Sequence, residues 1–393
     1  MLPLGYSTNL HAAESVAEVI DFLATFTKPV RERLGWAQIG VDLRLGSRAI
    51  AELADISTLL ALRRALDDAG ASAHTINAFP LRPFQAAVVK DTAYLPDWTD
   101  SERERDTAAL IPIALALSDA PLVTISTVPG SFRPLGAARN DPRRIAEALG
   151  RWAAAAARVQ RTTGRTVALC LEPEPWCLLA TSYEVAWFWR GPLAEFGVAA
   201  CATTLDGDVT AARQAIAVHL GVCFDTCHVS LAFEDQAAAV TRMTVAGATI
   251  LKCQVSAAPE VRDPHRDQVG TAALRAMAEP RFYHQTAALS ASGSMSVVVD
   301  LNHLDGCLAR LPSATVVRSH FHVPIFQTAT SSGLSSTVAE SRAGLIACIA
   351  AGCTHIAVET YTWPLLAADQ RDVATGTARE LEMLAGWCDV RSA

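Results

Sequence analysis

Eight short apolar runs, each separated from the next by a longer stretch with helical character, constrain this 393-residue chain more than any other feature. The strand-like runs are Leu4 to Asn9, Gln38 to Leu43, Ala73 to Phe79, Leu122 to Val128, Thr166 to Glu172, Leu220 to Asp225, Ile250 to Ser256 and Thr354 to Tyr361. Between them, Ala13 to Phe26, Ser47 to Ala69, Asp141 to Arg161 and Thr337 to Ala351 read as helices. The third carries its own boundary signals: Asp141 as N-cap, Pro142 at the first helical position and Gly164 just past the end. Strand and helix alternating about eight times predict an α/β fold, a closed (β/α)8 TIM barrel. The rival, an open doubly wound sheet, usually places a glycine-rich phosphate turn after an early strand, and GxGxxG is absent.

The rhythm breaks after the seventh strand. Residues 257–336 hold further strand-like pieces, Phe282 to Thr286, Ser296 to Asn302 and Thr315 to Ile325. The expectation is a single domain over 1–393, with 257–336 as a long insertion over the barrel mouth; a separate small domain is the alternative. Phe79 to Thr99, rich in Pro and aromatics, reads as another long mouth loop.

Composition narrows the partners. The net charge is −7 and the only lysines are Lys28, Lys90 and Lys252. Arginines are interleaved with acids, so no basic stripe for nucleic acid exists. The Ala-rich runs near 108–117 and 152–159 are too short to span a bilayer, so no direct membrane insertion is expected. The chain begins without the pattern of a signal peptide. Ten cysteines occur without a CxxC pair, which argues against a structural zinc ribbon and for a reducing, cytoplasmic setting.

Active residues of such a barrel sit at the C-terminal strand ends, and alternate strand residues face inward. On the fifth strand Ala168, Cys170 and Glu172 share a face. Cys223 and Asp225 do so on the sixth, Lys252, Gln254 and Ser256 on the seventh, and Ala357 and Glu359 on the last. The opposite faces are apolar. Three carboxylates, Glu172, Asp225 and Glu359, therefore converge with Gln254 on the mouth. Like charges so placed must protonate or share a cation. The oxygen-rich set favours Mn²⁺ or Mg²⁺, with Zn²⁺ and Co²⁺ as alternatives. His228, one turn beyond Asp225, can point back at the site as ligand or substrate contact.

Other polar residues join with less weight: His11 and Asn9 after the first strand, Asp42 on the second, Asn77 on the third, and the pair His320 and His322 in "SHFHVP". Cys223 and Cys227 read as packing, and His284 and His303 as ordinary surface or loop residues. Lys252 invites a Schiff-base role, but an ion pair with neighbouring acids is the stronger reading. Arg133 and Trp176 are candidates to shape the pocket.

The runs "LCLEPEP", "CFDTCH" and "IAVETY" resemble the xylose isomerase-like TIM-barrel superfamily of sugar isomerases, epimerases and related metalloenzymes. The resemblance implies metal ligation by Glu172, Asp225, His228 and Glu359. The superfamily's seventh-strand ligand is usually His where this chain has Gln254; His320 or His322 can stand in. More narrowly, "LGYSTNLHAAES", "TINAFP", "YLPDWTD", "STVPGSF", "EPEPWCLL", "GVCFDTCH", "SHFHVPIF" and "VETYTW" resemble the EboE-type metabolite traffic family. That family is implicated in making or moving a precursor across the membrane, which implies other proteins of the same pathway as partners.

Together these readings predict a divalent-metal-dependent isomerase or epimerase on a small polyol, cyclitol or sugar-like substrate, with Glu172 and Glu359 as base and acid. A metal-dependent hydrolase and a non-catalytic metabolite-binding protein are the alternatives.

Overall fold

A computed structural model describes residues 4–328, 334–363 and 372–389. Residues 329–333 of the expected insertion, and the chain ends of the expected 1–393 domain, lie outside the described residues. The strands in chain order are β1 (Leu4–Ser7), β2 (Ile39–Arg44), β3 (Ala71–Asn77), β4 (Leu122–Thr127), β5 (Thr166–Leu171), β6 (Leu220–Asp225) and β7 (Ile250–Val255). There follow β8 (Pro259–Arg262), β9 (Thr286–Ser290), β10 (Met295–Val298), β11 (Ala314–Ser319), β12 (Ser335–Ser336) and β13 (His355–Val358). Strands β1 to β7 and β13 close into a barrel in the order β1-β13-β7-β6-β5-β4-β3-β2, every pair parallel. The (β/α)8 architecture predicted from the alternation is the one observed.

Both faces of a parallel barrel are covered, so its strands are buried along nearly their whole length. Local signals place the helices. Asp141 caps Pro142–Thr163 by accepting from the amides of Arg143 and Arg144, and Gly164 ends it at φ 72°. The stretch expected as one helix from Ser47 to Ala69 is two, Ser47–Glu52 and Ile56–Ala69. The break is set by Asp55, whose side chain takes the Thr58 amide and starts a new helix. The helix expected from Ala13 begins at Val16, where Ser15 and Glu18 form a capping box. It runs on through a π-turn, Leu23–Thr27, into Lys28–Leu34.

Between β7 and β13 lies a second, antiparallel sheet in the order β10-β9-β11-β8-β12. Ala257 and Val323 exchange backbone hydrogen bonds of 3.1 and 2.9 Å where the chain leaves the barrel. Buried Arg318 on β11 pairs with Glu260 (2.6 Å) and Glu340 (2.9 Å) and donates to the Ser230 carbonyl (2.7 Å), joining this sheet to barrel helices. The extended run expected from Thr315 to Ile325 stops as a strand at Ser319, so His320 and His322 leave the sheet. Among the described residues no helix is long and apolar enough to cross a membrane.

Candidate metal centre

Strand β5 stops one residue, and β13 three residues, before the ends of their expected runs, so Glu172 and Glu359 are the first residues beyond them. Asp225 is the last residue of β6. Ligand oxygens of Glu172, Asp225 and Glu359 lie within 4.8 Å of one another, and the three side chains are buried. Asp225 serves two purposes. Its Oδ1 caps the helix Thr226–Leu231 by accepting from the amides of Cys227 (2.7 Å) and His228 (3.1 Å). Its Oδ2 is buried without a hydrogen-bond partner, as is Glu172 Oε2. A strand-end acid is commonly only a helix cap; here one oxygen caps and the other faces the cluster.

Burial, then the neighbouring Glu359 and Asp225 charges, push the Glu172 carboxyl well above its ordinary range. Burial, then Asp225, do the same to Glu359. Such acids take protons or share a cation. Two orphaned oxygens aimed into an all-oxygen trio fit a hard divalent ion.

Gln254 is oriented to hold Glu359. Its amide nitrogen donates to Glu359 Oε2 and its amide oxygen accepts from the Cys223 thiol. Asn9 Nδ2 (2.8 Å) and Ser7 Oγ (3.2 Å) donate to Glu359 Oε1. In this arrangement the Gln254 oxygen, expected as a ligand, is turned toward Cys223. Lys252 forms an ion pair as expected, though its partner is Asp42 on β2 (2.8 Å) rather than an acid of an adjacent strand.

Three histidines stand beside the carboxylates. His320 Nε2 lies 3.0 Å from His228 Nε2 and 2.9 Å from His322 Nε2. Burial lowers the basicity of His320 well below the usual range, helped by the other imidazoles, and lowers that of His322 to about 4. Asp225, His228 and His322 form a second group able to hold an ion, and Cys227, His320 and His322 a third. Cys227, read as packing, thus borders the site, with its thiol donating to the Phe321 carbonyl (3.4 Å). His284, expected as a surface or loop residue, lies in the loop before β9 but not on the surface. It is buried, donates from Nδ1 to the His320 carbonyl (2.7 Å), and stacks on Phe321 with ring centres 3.7 Å apart. His11 stands apart, stacked on Phe22 (4.2 Å) and lining a separate groove with Glu18 and Phe26.

A cavity of about 50 Å³ joins Glu172, Glu359, His228, His320 and His322 to Asn9 and Asn77. Asn77 Oδ1 accepts from the Phe79 amide (3.0 Å). Phe84, Phe282 and Tyr361 pack edge-on or tilted, 4.8 to 5.6 Å apart, and Phe84 and Tyr361 line this cavity. Arg133 and Trp176 line a different cavity, of about 320 Å³, whose wall includes Gln285. Three residues escaped the reading of the sequence. Glu174, lifted to about 7 by burial, accepts from Tyr94 (2.8 Å), and Gln285 donates to the same Tyr94 oxygen (2.8 Å). The second Glu of "EPEP" was the available signal; nothing local marks Tyr94 or Gln285.

Comparison with known proteins bears on the fold. The chain is similar to a xylose isomerase-like TIM barrel protein from Mycobacterium smegmatis, solved in complex with magnesium. The TM-score is 0.51 at 12% identity, over 98% of each chain. This likeness shows the xylose isomerase-like barrel fold. The IOLI protein with a zinc atom (TM-score 0.48, 10% identity, 98% of this chain and 97% of that one) is more distant. So is the probable 3-DHS dehydratase AsbF of Bacillus anthracis (0.41, 10%, 98% and 99%). No protein-family model and no curated protein matches the chain.

Proposed function

We propose that this chain is a divalent-metal-dependent isomerase or epimerase acting on a small polyol, cyclitol or sugar-like substrate. The observation that carries this reading is the buried trio Glu172, Asp225 and Glu359, with two oxygens left unpartnered. These three would hold the ion, with Mn²⁺ or Mg²⁺ favoured, and Gln254 would position Glu359. When bound, the ion polarises a carbonyl or hydroxyl oxygen and so acidifies the adjoining C–H. The rest falls to the chain. Glu172, without a hydrogen bond at Oε2, takes the proton from carbon. Glu359, oriented by Ser7, Asn9 and Gln254, returns one from the other side. Asn77, which lines the cavity, binds a substrate hydroxyl.

The cavity is far smaller than the ~300 Å³ of an ordinary ligand pocket. Substrate entry therefore requires Phe84 or Tyr361 to swing aside, and the closed aromatic wall then excludes water. We read residues 1–393 as one domain with 257–336 as an insertion over the mouth. A cytoplasmic role in an EboE-type precursor pathway, beside other proteins of that pathway, rests on the quoted motifs alone.

The test is proton exchange. Chain loaded with Mn²⁺ is incubated in D₂O with a panel of ketoses, aldoses and cyclitol ketones, and deuterium at carbon is read by NMR. Incorporation into one substrate class, reduced about 10²- to 10⁴-fold in Glu172→Gln, is expected. A bound ion with no exchange on any member would favour the hydrolase or binding alternatives.

A further inference from the structure

At the barrel end opposite the carboxylates, two buried imidazoles, His74 and His355, line a cavity of about 520 Å³. The starts of β3, β4 and β13 form its walls, and the two ring centres are 5.0 Å apart. Local structure aims the first ring. Between the pairs Gly40–Ser72 and Asp42–Thr75, β3 carries one more residue than β2, and such a bulge re-aims a side chain. The His74 ring lies over Gly40, where a Cβ would come within 2.7 Å of its Cε1. His74 Nδ1 is 3.2 Å from the Ser72 carbonyl, which only accepts, so Nδ1 holds the hydrogen and Nε2 the lone pair. That Nε2 is buried without a partner. Thr124 Oγ1 donates to Thr75 Oγ1 (2.9 Å) and so accepts from His355 Nδ1 (2.8 Å), which leaves a lone pair on His355 Nε2 too. Burial above all lowers the basicity of His74 to about 4 and of His355 to about 3, so both rings are neutral near pH 7.

The N-terminal face of such a barrel ordinarily serves stability. An acceptor buried without a donor works against stability, and apolar side chains would fill the place better. We propose that this cavity binds a small neutral polyol or related hydroxylated molecule, whose hydroxyl groups donate to His74 Nε2 and His355 Nε2. Charge disfavours the other classes. An anion would meet two lone pairs, and the Arg63 guanidinium at the rim is already engaged by Asp67, Asp119 and the Ala116 carbonyl. A cation would meet the field of Lys252, the register partner of His355, whose ammonium already disfavours a proton on either ring. Among the described residues no third His, Cys or carboxylate joins the two imidazoles in a metal-binding group. A neutral hydroxyl meets neither objection. Gln38 and Ser72, in the same lining, offer polar groups to the remaining hydroxyls. The proposal stands apart from the carboxylate centre and does not depend on it.

The experiment titrates chelator-treated full-length chain, labelled with ¹⁵N at histidine, with myo-inositol, sorbitol and glucose in turn. The Nε2 resonances of His74 and His355 are followed by NMR and assigned with His74→Phe and His355→Phe. At least one polyol should move both resonances saturably and with one midpoint, in the direction of an acceptor that gains a hydrogen bond. Any movement of His228, His320 and His322 should follow a separate midpoint. His74→Phe, its fold checked by circular dichroism, should weaken the response at His355 about 10-fold. Thr124→Val keeps both rings and guards against a misfolded His74 variant. It removes the acceptor that fixes the His355 hydrogen on Nδ1, and should weaken the response at His74 about 3- to 10-fold. Unchanged affinity in both variants would overturn the proposal. Saturation by inorganic phosphate or ammonium but by no polyol would overturn the neutral class. Movement confined to the histidines of the mouth, or no saturable movement with any probe, would overturn the site and leave solvent as the donor to both lone pairs.

Discussion

Asp42 and Glu172 are both buried acids inside the barrel, but they differ in what neutralises them. Lys252 sits 2.8 Å from Asp42 and donates to Ser126 as well. Burial disfavours the Lys252 charge, yet Asp42 and the other acids outweigh it and hold the ammonium above its ordinary range. Glu172 has two acids beside it and no hydrogen bond at Oε2. A third buried acid, Glu380 in the helix Val373–Asp389, shows another outcome. It accepts from the Ile325 amide (3.1 Å) and Thr360 (2.8 Å), and burial lifts it to about 8. A lone acid takes a proton, whereas Asp42 has an ammonium against it. Three together at the mouth either take protons or share a cation from outside the chain.

Lys252→Met is the severest way to break this contrast. It strands Asp42 as an unpaired buried charge and should cost about 3–5 kcal/mol in urea denaturation. A cost below about 1 kcal/mol would mean that the pair does not neutralise Asp42. Adding Mn²⁺ at a hundredfold excess over its dissociation constant should raise the stability of chelator-treated chain by about 2.7 kcal/mol. In Glu172→Gln most of that gain should vanish.

The Glu380 prediction concerns pH. Its folded pKa lies above the unfolded value, so its contribution is complete below about 4.5 and is lost as pH rises toward about 8. Glu380→Gln should therefore flatten the stability profile across that window, by at most about 1.4 kcal/mol per pH unit. An unchanged slope would show that Glu380 is already ionised. The smallest effect is Glu172→Gln in chelator, where replacing an acid that must take up a proton on folding should stabilise the fold by roughly 1 kcal/mol. Destabilisation there would mean that Glu172 is paired within the chain.

The barrel was legible because strand and helix leave different periodicities, and because caps such as Asp141 and Gly164 mark their own ends. The carboxylates were legible for a related reason: alternation along each strand says which residue ends on the inner face. The second sheet was seen only as a break in rhythm, since its pairings depend on contacts remote in sequence, such as Arg318 with Glu260. The burial of the loop residue His284 left no local sign because it comes from Phe321 and Glu279, not from a local apolar pattern. The direction in which Gln254 points depends on Cys223 and Glu359, on two other strands. Tyr94 and Gln285 are 191 residues apart and carry no local sign of meeting.

The most direct measurement is Mn²⁺ binding, with the free ion followed by electron paramagnetic resonance as metal-free chain is titrated. The natural chain should take up Mn²⁺ stoichiometrically, and Glu172→Gln should bind it at least ~100-fold more weakly, beyond what loss of a supporting contact alone would cause. Free Mn²⁺ throughout the titration, or a Glu172→Gln chain that binds as tightly as the natural one, would contradict the carboxylate metal centre.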